Sequence, residues 1–140
     1  MQNALKIALH FLKFRPRTVF EIRQKLRSKK CEGREIEKVI SVLKKNQLLD
    51  DKNFAKMWVK DRNLLKPTGA YLLKIELKRL GISEGIIDEV LMAQTDEPLA
   101  MKALTSKSRL KNASFEKKAA FLQRRGFKTS IIFKILNPKC

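Results

Sequence analysis

The chain has 140 residues, enough for one domain or a short array of small units, and 44% of them are hydrophobic, enough to build a core. Thirty-two Lys and Arg against 14 Asp and Glu give a formal charge of +18, so an anionic partner is expected: nucleic acid, an acidic protein surface or a membrane surface. No run of eighteen apolar residues supports a membrane span, and two cysteines, Cys31 and Cys140, form neither a metal motif nor a disulfide framework, as suits a reducing cytoplasm.

The first predicted helix covers residues 2 to 14, with Leu5, Ile7, Ala8, Phe11, Leu12 and Phe14 in one broad stripe. Lys6, His10 and Lys13 interrupt it, so it reads as structure rather than as a leader. Arg15-Pro16 ends it, because proline restrains the residue before it. Thr18 and Glu21 then form a capping box for a second helix that carries Phe20, Ile22 and Leu26 to about Ser28. After a polar bend, residues 34 to 46 repeat Ile36, Val39, Ile40 and Leu43 at helical spacing.

Asp50 and Asp51 read as caps of the next helix, in which Phe54, Met57, Trp58, Leu64 and Leu65 follow helical spacing up to a turn at Lys66-Pro67-Thr68-Gly69. A further helix with Leu73, Leu77 and Leu80 on one face closes at Gly81, and another follows from Ser83. The same order returns between Thr95 and Leu136.

These segments superimpose as an internal repeat. Leu26, Leu77 and Leu122 precede the second bend, and Cys31, Ile82 and Phe127 follow it. Then come Ile36, Ile87 and Ile132; Val39, Val90 and Ile135; and Ile40, Leu91 and Leu136, while Ala4, Ala55 and Ala100 align the first helices. The expected fold is all-α: three tandem three-helix repeats, residues 1–49, 50–94 and 95–140, in an elongated, curved array. Apolar contact should be broad within each repeat and thinner between repeats, which permits some flexing.

The run DDKNFAKMWVKDR, then KPTG, then LLKIELKRLGI, resembles the central signature of the RecX family of recombination regulators. The opening ALKIALHFLKFRPRTVFEIRQKL and the closing FLQRRGF with Ile131, Ile132, Ile135 and Leu136 resemble the flanking repeats of that family. Lys30-Cys31 departs from the usual Gly-Phe pair, which concerns the shape of the first bend. The resemblance implies a bacterial cytoplasmic protein that is not an enzyme, needs no cofactor, and binds the RecA recombinase filament to limit its extension, ATP hydrolysis and strand exchange in recombination, DNA repair and the SOS response. Single- or double-stranded DNA is a second expected partner, and a monomer is the default.

Individual residues carry their own readings. Trp58 shares a column with Ile7 and Ala103, so a core role is favoured over base stacking. Asp50 and Asp51 lack a third ligand and read as caps rather than a metal pair, Cys31 reads as a small core residue, and His10 has no catalytic partner in the local sequence. On the second helices Phe20, Arg23 and Arg27 recur as Tyr71, Lys74 and Lys78, an aromatic and two cations on one face; the third copy has Glu116, Ala119 and Gln123. That face reads either as solvated, with the aromatic packed on the next repeat, or as a docking surface.

Basic residues also precede each first turn, at Arg15, Lys66 and Lys111. The candidate partner or nucleic-acid contacts are therefore Arg15, Arg17, Arg23, Arg27, Arg62 and Lys66, followed by Tyr71, Lys74, Lys78, Arg79, Arg124 and Arg125. Residues 1–50 hold 13 basic and 5 acidic groups, 51–95 hold 8 and 6, and 96–140 hold 11 and 3. That split suits two electrostatic anchors around a less charged region. A stand-alone basic helical DNA-binding protein is the alternative. An enzyme is disfavoured, since no glycine-rich phosphate loop, metal cluster or nucleophile with a nearby base is present.

Overall fold

Nine α-helices and one 3-10 turn, Ser108–Leu110, make up the regular structure among the described residues, 2–136 of this computed structural model, with no strand. The helices are α1 (Gln2–Phe14), α2 (Val19–Ser28), α3 (Gly33–Lys45), α4 (Asp51–Leu65), α5 (Ala70–Arg79), α6 (Glu84–Leu91), α7 (Asp96–Thr105), α8 (Phe115–Arg124) and α9 (Thr129–Leu136). Cys140 lies outside the described residues.

Local chemistry sets the helix ends. Thr18 and Glu21 form the expected capping box of α2, and the side chains of Asp50, Ser83 and Ser114 accept backbone N–H groups at the starts of α4, α6 and α8. At the second bend of each unit one residue turns left-handed: Lys30 at φ 61°, Gly81 at φ 81° and Gly126 at φ 87°. The following N–H then closes on the helix, Cys31 to Leu26, Ile82 to Leu77 and Phe127 to Leu122, at 3.1 Å in each case. The Lys30-Cys31 departure therefore leaves the bend intact.

Each triplet has its own apolar core. In the first, Ala4 and Ala8 of α1 meet Ile22 and Leu26 of α2 and Ile36, Val39, Ile40 and Leu43 of α3. The second centres on Ala55, Leu77, Ile82 and Ile87, and the third on Ala100, Ala103, Leu110, Phe121, Leu122, Phe127 and Ile132. Burying a leucine such as Leu26, Leu77 or Leu122 completely contributes about 1.5–3 kcal/mol.

Two expectations about α4 change. Leu64 and Leu65 are 72% and 80% exposed, and Met57 is half exposed. The eight-residue α6 is too short to cover the last turn of the fifteen-residue α4 that packs on it. Asp51 does not cap its own helix. Its Oδ1 accepts the Val19 N–H at the start of α2, 2.9 Å away in the preceding unit.

That bond belongs to a joint that recurs. At the first joint Thr18 Oγ1 donates to the Leu80 carbonyl at 2.6 Å while Asp51 accepts from Val19. At the second, the Gly69 N–H donates to the Arg125 carbonyl at 2.7 Å, and Asp96 Oδ2 accepts the Ala70 N–H at 3.2 Å. Thr18 and Gly69 hold equivalent places, as do Asp51 and Asp96, and Leu80 and Arg125. Gln94 reinforces the second joint, donating to the Thr68 carbonyl and Asp96 while accepting from Asn63.

Candidate partner interface

The sequence-predicted cations do not converge on one site; the fold distributes them along the second helices and the joints. Arg15, just past α1, donates to both carboxylate oxygens of Glu21 and to the Pro16 carbonyl. Arg17 stacks 3.7 Å over the Phe11 ring and donates Nε to the Phe11 carbonyl. Burial, then the like charge of Arg15, lowers its pKa, and Glu21 opposes them. Both arginines border a depression between α1 and α4 with Leu12, Met57 and Trp58.

Arg23 grips Glu37 of α3 with two bonds, Nε at 3.0 Å and Nη2 at 2.9 Å. The hydrogen bond to Glu37 raises the Arg23 pKa against partial burial, and the same bond lowers that of Glu37. Arg62 holds Glu76 in the same way, at 2.9 and 2.7 Å, and Glu76 also accepts the Trp58 indole N–H at 2.9 Å. Trp58 is thus a half-buried packing residue with its polar edge satisfied, in line with a core role. Arg125 donates to the Pro67 carbonyl across the second joint and lies over Phe121. Burial, then the Arg62 charge, depresses its pKa. These arginines are first of all parts of the scaffold.

Others are left to solvent. Among the described residues Arg27, Lys66, Arg79 and Arg124 are exposed and form no ion pair. Arg79 and Arg124 close α5 and α8 at equivalent positions. Arg124 shares a shallow basic surface with Arg109 and Lys117, two cations the sequence reading did not single out.

The aromatic–cation pattern behaves differently in its two copies. Phe20 packs against Gly81 of the next unit, where any Cβ would lie 2.1 Å from the Phe20 Cβ. Tyr71 instead is 59% exposed, because Leu72 takes the matching place against Gly126. Tyr71, Lys74 and Lys78 line a groove of ≈ 590 Å³ with Ile75, Leu91 and Met92, completed by Asp88 and by Lys128 from the third unit. Lys78 also reaches Glu84 at 3.4 Å. Lys128 and Met92 were missed because nothing local in the sequence places them beside α5.

Among the described residues no group of three or more metal-ligating side chains occurs and no helix is long and apolar enough to cross a membrane. Residues 4–43 match the family model for the RecX first three-helix domain, and residues 50–91 match that for the RecX second three-helix domain. A regulatory protein RecX from Chlorobium phaeobacteroides (strain BS1) is 34% identical over 140 residues, covering 97% of this chain and 93% of that protein. The regulatory protein RecX of Geobacillus kaustophilus (strain HTA426) is 29% identical, and 97% of this chain matches 54% of that longer relative. Among solved structures, the crystal structure of RecX from Lactobacillus salivarius superimposes with a TM-score of 0.86 at 25% identity, covering 98% of this chain and 94% of that one.

Proposed function

The chain belongs to the RecX family, and we propose from that premise that it binds the RecA recombinase filament and limits its extension, ATP hydrolysis and strand exchange. The observation that carries the reading is that each second helix keeps a cation outside any ion pair, Arg27 on α2, Lys74 and Arg79 on α5, and Arg124 on α8, with Arg79 and Arg124 at equivalent positions. Cations spread over successive units suit a protein that lies along an extended, anionic partner better than one that closes around a small substrate. On this reading the chain acts in the cytoplasm as a monomer, without a cofactor.

The test is RecA's ATP hydrolysis on single-stranded DNA as this protein is titrated in, with its own DNA affinity measured in the same salt. Hydrolysis is expected to fall at concentrations too low to coat the DNA; a fall well below one molecule per RecA assigns the effect to filament ends. The exposed basic surface of Arg109, Lys117 and Arg124 favours one rival, a stand-alone DNA-binding protein. A fall only at DNA saturation, with the steep salt dependence of counterion release, would establish that rival.

A further inference from the structure

One structural position occurs three times with three outcomes. In the first unit Arg23 on the second helix and Glu37 on the third lock together through two hydrogen bonds. In the second unit the equivalent residues are Lys74 and Asp88, each with the same charge but a shorter reach or fewer donors. No ion pair closes between them, and both line the open groove on α5 and α6. In the third unit the position is apolar: Ala119 and Phe133, with Phe133 against Phe115 at 5.8 Å between ring centroids. The middle unit alone leaves this position open and charged.

We propose that the groove between α5 and α6 is the docking site for an acidic, amphipathic peptide segment of a protein partner. Lys74 and Lys128 supply cations for its carboxylates, Lys78 adds a third that it shares with Glu84, and Ile75, Leu91 and Met92 form a bed for an apolar side chain. Met92 is 83% exposed, and its flexible thioether can adapt to what covers it. Asp88 gives the lining a mixed charge, which suits a peptide that sets an N–H or a cation between its carboxylates better than the uniformly anionic backbone of a nucleic acid. Tyr71 at the rim offers a hydroxyl and a ring face without the second aromatic that a base-stacking track uses.

The partner is taken from the proposed function, so the experiment separates the two. A synthetic helical peptide of Glu with Leu at i and i+4 is titrated against the isotope-labelled full chain, a readout that needs no RecA. Shifts confined to Tyr71, Lys74, the Met92 methyl and Lys128 are expected; their absence, or their spread over Arg109 and Arg124, would overturn the assignment. In parallel, binding to RecA on single-stranded DNA and to an oligothymidine alone is compared for the wild type, Lys74→Glu with Lys128→Glu, and the charge-neutral pair Lys74→Arg with Asp88→Glu. The last pair rebuilds the closed bridge of the first unit.

Both double variants are expected to lose about tenfold in filament affinity at unchanged helicity and melting temperature, and the charge-neutral pair is expected to change oligothymidine affinity less than about twofold. Oligothymidine binding of the charge-neutral pair that falls in step with its filament binding would make the groove a nucleic-acid site and sink the proposal. So would filament binding that survives the rebuilt bridge. If the wild type binds the peptide in the groove but not the filament, the proposed function fails and the groove assignment stands.

Discussion

Gly81 answers two demands at once. Its backbone sits at φ 81°, where a Cβ strains the chain, and Phe20 of the preceding unit occupies the space a Cβ would need. Gly81→Ala is therefore expected to cost about 2–4 kcal/mol, read by thermal or denaturant unfolding. Lys30 takes the same left-handed conformation at φ 61° in the first unit, so Lys30→Gly should stabilise by about 0.5–1 kcal/mol. The glycine at the end of α5 was legible as a helix stop. The second demand was not, since nothing near residue 81 announces that residue 20 comes to rest on it.

At the scale of helices, most of the fold could be read from the chain. The caps at Thr18 and Asp50, the prolines and the apolar columns are local, and local rules locate the bounds of α1 to α5 and the start of α6 to within a residue or two, while the repeat places α7 to α9 only as a group. What local rules misread were residues whose job lies in another unit. Asp51, taken for a cap of α4, accepts from the first N–H of α2, and the exposed tail of α4 looked apolar because spacing does not reveal what covers it. Site residues suffered in the same way: Arg23 and Arg62 looked available, and each holds a glutamate far along the sequence.

Asp51 also makes the joint sensitive to pH in a defined direction. Burial raises its pKa above the usual aspartate value, outweighing the Val19 N–H that lowers it; Lys44 and Arg23 also lower it, and Asp50 raises it. A raised carboxylate pKa means that the ionised form is disfavoured in the folded state. Its cost is fully present above the folded pKa and disappears as pH falls below the unfolded value. Asp51→Asn keeps an acceptor for Val19 without the charge, so it should match or exceed the wild type in stability at neutral pH, with the difference vanishing on acidification. Asp51→Ala removes the acceptor and should cost about 1 kcal/mol at neutral pH, and more on acidification as the wild type sheds its ionisation cost, measured by urea unfolding.

Across the whole molecule, three cores are coupled by joints made largely of backbone groups and short polar side chains. Gly69 is the tightest point of the second joint, because a Cβ there would lie 2.2 Å from the Gly126 carbonyl oxygen. Gly69→Ala is expected to loosen the third unit from the second. In the wild type, fluorescence of the single tryptophan, Trp58 in the second unit, should follow the same unfolding curve as helical circular dichroism. In the variant the two curves should separate. Coincident curves in both proteins would mean that the joints do not control cooperativity.

The departure at Lys30 bears on how one unit receives another. Gly81 and Gly126 are bare because a neighbouring unit presses on each of them, and the exposed Lys30 puts a charged side chain in the corresponding place. Modules that stack head to tail on a self-complementary joint would grow into fibres, since such contacts do not close on themselves. Lys30→Gly would bare that face in the first unit as well, and size-exclusion chromatography of the variant beside the wild type reads whether a second copy then seats there: a larger particle for the variant alone is expected, and equal sizes would free the lysine of any role in keeping copies apart.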